Sequence, residues 1–327
     1  ALDLGTNNCR LLVARPVADG FRVIDAFSRI VRLGEGLSKT NALSRHAMDR
    51  AIDAIKVCAD KMDRRQVTLR RNVATEACRI AENCDEFVVR VREETGLALD
   101  VISAAEEARL AVIGCQALID PAIQNALVFD IGGGSTEIIW VKRTSASPSA
   151  NVVGPYDIEI KAWRSFPFGV VNLSERYGTG RYGPALYHQI VQTISSEIRA
   201  FEKEFHLSPL IDEGQLQLLG TSGTVTTLGS FALGLETYDR NLIDGLWLER
   251  ETTQSLCDEL AELDIEQRAA IPAIGRDRCD LVVAGCTILS AIMGIWPLER
   301  LRVADRGLRE GILRCLMTHD GIEFSRG

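Results

Sequence analysis

Two stretches of this chain, 127 residues apart, carry the same order of chemical groups: ALDLGTNNCRLLVA at residues 1–14 and VFDIGGGSTEIIWV at 128–141. In each, an apolar run reaches an aspartate, Asp3 or Asp130. One more apolar residue follows, then a glycine-led polar turn at 5–8 or 132–136, and the chain turns apolar again. The three glycines Gly132, Gly133 and Gly134 can aim successive amide N–H groups at one point, because glycine reaches backbone angles other residues avoid and lets a ligand come close. Such a nest is an anion site, best filled by phosphate, and the hydroxyls of Ser135 and Thr136 add donors. In the first turn Gly5, Thr6, Asn7 and Asn8 occupy the matching places. Asp3 and Asp130 stand just before their turns, where a carboxylate can bind a hard cation directly or through water. Glu137 could join them or simply be solvated, and the glycines could make a tight turn and nothing more.

A third glycine turn, LLGTSGTVTTL at 218–228, repeats the logic. A strand over 215–219 ends at Gly220. Thr221 or Ser222 can cap a helix beginning at Gly223 and Thr224, whose free amides and partial positive charge favour an anion. A cap with no ligand is the other reading. In VATEACRIAEN, Thr75 and Arg79 follow a strand four residues apart; the arginine could hold phosphate bidentately or form a surface ion pair. In VISAAEEARL, Glu106 and Glu107 fall in the first turn of a helix. Acidic residues favour that place for the helix dipole alone, yet a carboxylate there can also take a proton from a water attacking phosphorus.

The elements that must position these groups follow from hydrophobic periodicity. A hairpin is expected around GTNN, with β-rich chain over 21–33, a helix from Ser44 to about residue 63, and a strand over 67–74. A helix over 85–95 stopped by Gly96, a strand over 99–103 and a helix over 105–118 complete the first half. The second half restarts with strands over 127–131 and 137–142, an exposed hairpin loop at 143–155, and a strand over 157–166. Helices over 184–205, 249–263 and 280–296 follow, then a strand over 301–304 and a last helix over 308–318. Strands alternating with helices define an α/β chain. The repeat predicts two related halves facing each other across a cleft: one of residues 1–120 plus about 306–327, the other of 121–305. Connections at 118–125 and 302–307 would serve as a hinge pair.

At 327 residues, 46% hydrophobic and 25% charged, the composition is that of a globular protein of two domains. No apolar run approaches the roughly 18 residues of a membrane helix, and no secretory leader pattern is present, so a cytoplasmic protein with no membrane partner is expected. The chain opens inside a strand pattern at Ala1 without Met, so a few upstream residues are expected to be absent. A net charge of −8 argues against a nucleic-acid partner, and leaves any polyanion to backbone amides and a few placed arginines. The basic run RRQVTLRR at 64–71 reads as a helix end and strand start, or as a ligand contact. Nine cysteines with no CxxC pair, and four histidines with no shared ligand spacing, read as core thiols rather than a disulfide framework or zinc site.

Taken together, DLGTNN at 3–8, TEACRIAEN at 75–83, ISAAEEARL at 102–110, DIGGGSTE at 130–137 and GTSGT at 220–224 resemble the exopolyphosphatase and guanosine pentaphosphate phosphohydrolase (Ppx/GppA) family. RDRCDLVVAGCTIL and VADRGLREGIL extend the likeness over nearly the whole chain. The resemblance implies duplicated ribonuclease H-like domains of the actin, sugar kinase and Hsp70 superfamily, and Mg²⁺-dependent release of terminal phosphate from inorganic polyphosphate or guanosine pentaphosphate. It assigns the catalytic base to Glu107, the second glutamate of EEAR, and phosphate and metal positions to Asp130, the glycines and Glu137. Arg10 matches a position where some members carry a basic residue near ligand, and a homodimer is plausible on the same ground. Two departures stand out: Ala104 replaces the usual glycine of SGxEEAR, and Asp244-Gly245 replaces a His-Gly pair. The chain resembles the short two-domain form, so processive action on long polymers follows less directly. A sugar-kinase-like or actin-like ATPase, and a guanosine tetraphosphate or pentaphosphate sensor with little catalysis, are the competing expectations.

Overall fold

A computed structural model of the chain describes residues 1–17, 20–144 and 158–319. All but the first two residues of the loop expected at 143–155 lie outside the described residues, as does the chain beyond 319. The chain divides into two compact units, Ala1–Gly114 with the segment from Gly307, and Cys115–Arg306.

The first unit is built on a five-stranded sheet of β1 (Leu2–Leu4), β2 (Asn8–Val17), β3 (Gly20–Ile30), β4 (Asn72–Ala74) and β5 (Asp100–Val101). Its order is β3-β2-β1-β4-β5, with β1, β2 and β3 antiparallel in turn and β1, β4 and β5 parallel. One face buries Leu2, Leu4, Cys9 and Leu11 against the helices Arg45–Arg64 and Cys84–Thr95. The first of these helices starts where Ser44 accepts the Ala47 N–H, and its Ala47, Ala51 and Ile55 are buried at helical spacing. The other face buries Leu12, Val73 and Ile102 against Leu110 of the helix Ala104–Cys115 and against Leu308, Ile312 and Leu313 of the helix Leu308–His319. The last helix of the chain thus completes the core of the first unit.

The second unit has β6 (Asn125–Ile131), β7 (Thr136–Arg143), β8 (Ile158–Phe166), β9 (Leu216–Thr221), β10 (Trp247–Glu249) and β11 (Arg300–Ala304). Its order is β10-β11-β9-β6-β7-β8. Read from its other end, β8-β7-β6-β9-β11 has the connectivity of β3-β2-β1-β4-β5, with the same parallel and antiparallel pairings and β10 added at the edge. The chain is therefore a duplicated α/β fold of the actin-like class. The helix Val282–Ile295 is apolar nearly all round and is buried accordingly in the core of this unit.

Several expected boundaries move. The strand expected over 67–74 shrinks to β4, because Gln66 adopts a left-handed backbone and Arg71 is drawn into ion pairs with Asp100 and Glu106. The basic run at 64–71 accordingly includes two structural arginines, Arg71 and Arg65, the latter paired to Asp25 at 2.9 Å. The strand expected over 99–103 is only two residues long, and the helix after it starts at Ala104 and tightens to a 3₁₀ turn at Gln116–Leu118. Among the described residues all nine cysteines are free, seven buried and two half-buried.

Candidate active site

The two hairpin turns share one construction. In the first, the Gly5 N–H donates to the Asn8 carbonyl at 2.9 Å; in the second, the Gly132 N–H donates to the Ser135 carbonyl at 2.9 Å. Both bonds join residues related by the 127-residue offset. In each unit the segment behind the turn then takes its carbonyls. Gly34 N–H reaches Thr6 O at 2.9 Å, and Val31 and Arg32 N–H reach Asn7 O at 2.8 and 3.0 Å. In the second unit Val170 and Val171 N–H reach Gly132 O and Gly133 O at 3.0 and 2.7 Å, and Asn172 Nδ2 reaches Gly134 O at 2.7 Å.

A trans peptide is planar, so its N–H points opposite to its C=O. Tying the carbonyls of Gly132, Gly133 and Gly134 to the helix Val170–Tyr177 therefore turns the amides of Gly133, Gly134 and Ser135 away from it together. Tying those of Thr6 and Asn7 does the same for the amides of Asn7 and Asn8. Amides turned the same way by carbonyl capture are the construction that an anion-binding nest requires. Gly132 does not use a left-handed backbone, so close approach, rather than the unusual angles expected, is why glycine is needed here. A Cβ on Gly169 would lie 2.5 Å from Gly133 and Gly134 backbone atoms, and one on Gly34 would collide with the Thr6 side chain.

The side chains of the second turn are spent internally. Thr136 Oγ1 donates to Phe168 O at 2.8 Å, and Ser135 Oγ donates to Glu137 Oε1 at 2.7 Å. The hydroxyl donors expected from these two residues are thus engaged within the fold, and the turn offers amides instead. Ser165 Oγ also donates to Glu137 Oε1, at 2.7 Å. Ser165, Asn172, Gly34 and Gly169 carry no motif of their own, and sequence reasoning passed over them.

Asp130 and Glu137 are directly paired across β6 and β7, whereas the matching pair across β1 and β2 is Asp3 and Arg10. Glu137 is 2% exposed. Asp3 is driven above the usual carboxylate range by burial, with Arg10 and Arg309 opposing that shift and Glu310 adding to it. In the same unit the buried Asn7 Oδ1 has no hydrogen-bond partner among the described residues.

Beside the first turn, Thr75 N–H donates to Leu4 O at 3.1 Å, which seats the loop after β4 against the end of β1. Thr6 Oγ1 reaches Glu76 Oε2 at 3.4 Å. Arg79 donates from Nη1 to Glu107 Oε2 at 2.6 Å and to Ile102 O at 3.1 Å. Ser103 caps the helix that carries Glu107, its hydroxyl accepting the Glu106 N–H at 3.2 Å. The two adjacent glutamates have different partners. Burial works to raise Glu106, but hydrogen bonds from Arg109 and Arg71 outweigh it and hold the carboxyl below its usual range. Glu107 faces Arg79, and its side chain is 14% exposed.

The third glycine turn is likewise attached to its hairpin, since Ser222 Oγ donates to Ile131 O at 2.5 Å. Thr221 Oγ1 donates to Arg306 O at 2.9 Å. Neither hydroxyl caps the helix Gly223–Ala232, contrary to expectation, so its first-turn amides have no side-chain cap. Ser222 sits at φ 83° and ψ −174°, a region close to glycine-only that costs about 1–3 kcal/mol and persists where the surroundings impose it. Gly220 and Gly223 are not left-handed; Gly220 gives room to Phe129 and Val225. Thr224 is buried where Gly285 lets the helix Val282–Ile295 approach. Asp244, at the His-Gly position, accepts the Asp305 N–H at 3.0 Å and pairs with Arg306, a structural use of the carboxylate.

Each unit thus gathers its groups at the carboxyl ends of its parallel strands, where open α/β sheets bind ligands: in the first, the turn after β1, Arg79 after β4 and Glu107 after β5; in the second, the turn after β6 and Ser222 after β9. A duplicated actin-like α/β fold with a glycine-led hairpin turn of the same construction in each half defines the class. The sequence profile of the Ppx/GppA phosphatase family matches residues 12–319, and the chain belongs to that family. It is similar to the crystal structure of the Aquifex aeolicus Ppx/GppA family member, at 26% identity and TM-score 0.75 over 98% of this chain and 97% of that one. An exopolyphosphatase-like protein of known structure is 27% identical with TM-score 0.81, covering 95% and 96% of the two chains. The fold also matches an exopolyphosphatase from Cytophaga hutchinsonii, at 24% identity and TM-score 0.83 over 97% of this chain and 96% of that one. Among the described residues no helix is long and apolar enough to cross a membrane.

Proposed function

We propose that this chain is a Mg²⁺-dependent phosphoanhydride hydrolase that releases terminal phosphate from inorganic polyphosphate or guanosine pentaphosphate. The observation that carries the reading is the Asp130–Glu137 pair beside three amides turned outward together. Phosphate oxygens would be received by the amides of Gly133, Gly134 and Ser135, and by those of Asn7 and Asn8. The first-turn amides of the Gly223–Ala232 helix and the guanidinium of Arg79 add further donors. Glu107 orients and deprotonates the attacking water, with Ser103 and Arg79 fixing where its carboxylate lies.

Mg²⁺ fits the residues present. Asp130 and Glu137 place two hard oxygen donors on one face of the hairpin, with Ser135 and Ser165 fixing one oxygen of Glu137. Among the described residues no cluster of three or more His, Cys, Asp or Glu could hold a metal. Mg²⁺ takes one or two protein carboxylates and leaves its other positions to water and substrate phosphate. Asp130 and Glu137 would hold it, and bound there it would neutralise charge on the phosphate oxygens.

The test is Mg²⁺-dependent phosphate release measured in parallel on long polyphosphate, short polyphosphate, guanosine pentaphosphate and ATP, with Glu107→Gln as control. Release from one of the first three, reduced about 10²- to 10⁴-fold in the variant, supports the reading. ATP turnover alone would favour the kinase-like ATPase. The Arg79–Glu107 ion pair, which engages the base itself, favours a second reading: a guanosine tetraphosphate or pentaphosphate sensor with little catalysis. Tight binding of those nucleotides without phosphate release would establish it.

A further inference from the structure

Asp130, Glu137 and Ser165 stand abreast on three neighbouring strands. Asp130 is directly paired with Glu137 across β6 and β7, and Glu137 with Ser165 across β7 and β8. Residues directly opposite one another share a face of the sheet, so the three groups lie on one side of it. The first unit has a matching row across β1, β2 and β3, namely Asp3, Arg10 and Ser28. The outer two residues recur, and the middle one changes from a carboxylate to a guanidinium.

In the second unit the serine is engaged with that carboxylate. Ser165 Oγ donates to Glu137 Oε1 at 2.7 Å, and Ser135 Oγ, from the turn before β7, donates to the same oxygen at 2.7 Å. An ionised carboxylate has about four lone-pair sites, two on each oxygen, so two hydroxyls fill Oε1. A cation can then reach Glu137 only through its other oxygen. The carboxylate is also pinned from two segments of the chain and cannot turn to close on an ion with both oxygens.

This restriction bears on which cation fits. Ca²⁺ takes about 6–8 oxygens in loose geometry and readily uses both oxygens of a carboxylate. Mg²⁺ is smaller, takes one or two carboxylates and keeps several waters, and Mn²⁺ suits the same oxygen donors. A carboxylate held rigid and limited to one oxygen is the poorer ligand for Ca²⁺.

We propose that Ser165, together with Ser135, determines cation specificity: by confining Glu137 to one oxygen it sets the site shared with Asp130 for Mg²⁺ or Mn²⁺ over Ca²⁺. Ser165 is a positioning residue, acting on the cation through Glu137. The inference rests on Asp130 and Glu137 as the cation pair, and not on which phosphate compound is cleaved. In the first unit Arg10 takes the middle place and Ser28 is exposed, so the recurring serine has no carboxylate opposite it to confine.

The test measures cation binding by the purified full chain without substrate. Bound Mn²⁺ is followed by electron paramagnetic resonance, with Mg²⁺ and Ca²⁺ as competitors. The wild type should give up Mn²⁺ to Mg²⁺ at a lower concentration than to Ca²⁺. Ser165→Ala should weaken Mn²⁺ and Mg²⁺ by about 10-fold and Ca²⁺ much less, so that the two competitor concentrations converge. Ser135→Ala, which relieves the same oxygen from a different segment, should shift them in the same direction. Ser165→Thr keeps a hydroxyl and should keep the wild-type order. A wild type displaced equally by Ca²⁺ and Mg²⁺, an unchanged gap in both alanine variants, or an equal loss for all three cations would each overturn the proposal. The expected cation order without phosphate release from any substrate would instead fail the hydrolase reading alone. Phosphate release by a wild type that binds no Mn²⁺ would overturn the proposal and leave hydrolysis standing.

Discussion

Asp130 stands directly opposite Glu137 across its hairpin, and the same offset of 127 residues carries that pair onto Asp3 and Arg10. One duplicated hairpin therefore presents two carboxylates at its turn, and the other a carboxylate with a guanidinium. In the first, one face of the hairpin carries two carboxylates; in the second, Arg10 opposes but does not offset the burial of Asp3.

Replacing Glu137 by Gln should raise the Mg²⁺ concentration needed for half-maximal phosphate release by about 10- to 100-fold. Arg10→Ala should leave that requirement unchanged and raise KM for the phosphate substrate instead. Magnesium titrations of both variants at fixed substrate check the assignment, and equal shifts in the two would refute the division between the hairpins.

The adjacent glutamates should separate by type of defect. Glu106→Gln loosens two arginines and should lower stability by about 1 kcal/mol while leaving kcat near wild type. Glu107→Gln loosens Arg79 as well, so its Tm should also fall, but its kcat should fall with it. Thermal melts alongside turnover decide this, and a catalytic loss in Glu106→Gln as large as that in Glu107→Gln would count against the roles.

Gly169→Ala should show how the amide nest is made. Its Cβ would meet Gly133 and Gly134 backbone atoms at 2.5 Å, and overpacking of this sort costs about 1–3 kcal/mol. The nest should be displaced with it, so KM should rise along with the fall in Tm. A variant with wild-type KM would mean that carbonyl capture by the following helix does not set the turn.

Burial raises Asp3 above its usual range, so its ionised form destabilises the fold at neutral and alkaline pH. The penalty is present above the folded value and vanishes below the unfolded one, near pH 4. Asp3→Asn should therefore melt higher than wild type at pH 8, with the gap closing as the pH falls toward 4. A gap that widens toward acid would reverse the sign of the argument.

Much of this was legible in the residues. The hairpin pattern at 1–14 and 128–141 announced the duplication, Ser44 and the spacing of Ala47, Ala51 and Ile55 announced a helix, and EEAR placed a pair of carboxylates at a helix start. Short strands were misjudged because β4 and β5 have three and two residues, too few for alternation to register, and are defined by their neighbours in the sheet.

Local order along the chain determined which groups are available: the glycines, the aspartates before them and the glutamates after. Tertiary structure decided what those groups do, because a hydrogen bond between distant segments leaves no periodic trace in sequence. Nothing in the sequence indicates that Thr136 spends its hydroxyl on Phe168, that Ser165 holds Glu137, or that Arg79 holds Glu107. The sense of the amide nests follows from the same cause, since carbonyls captured by a segment some thirty residues later turn the amides the other way.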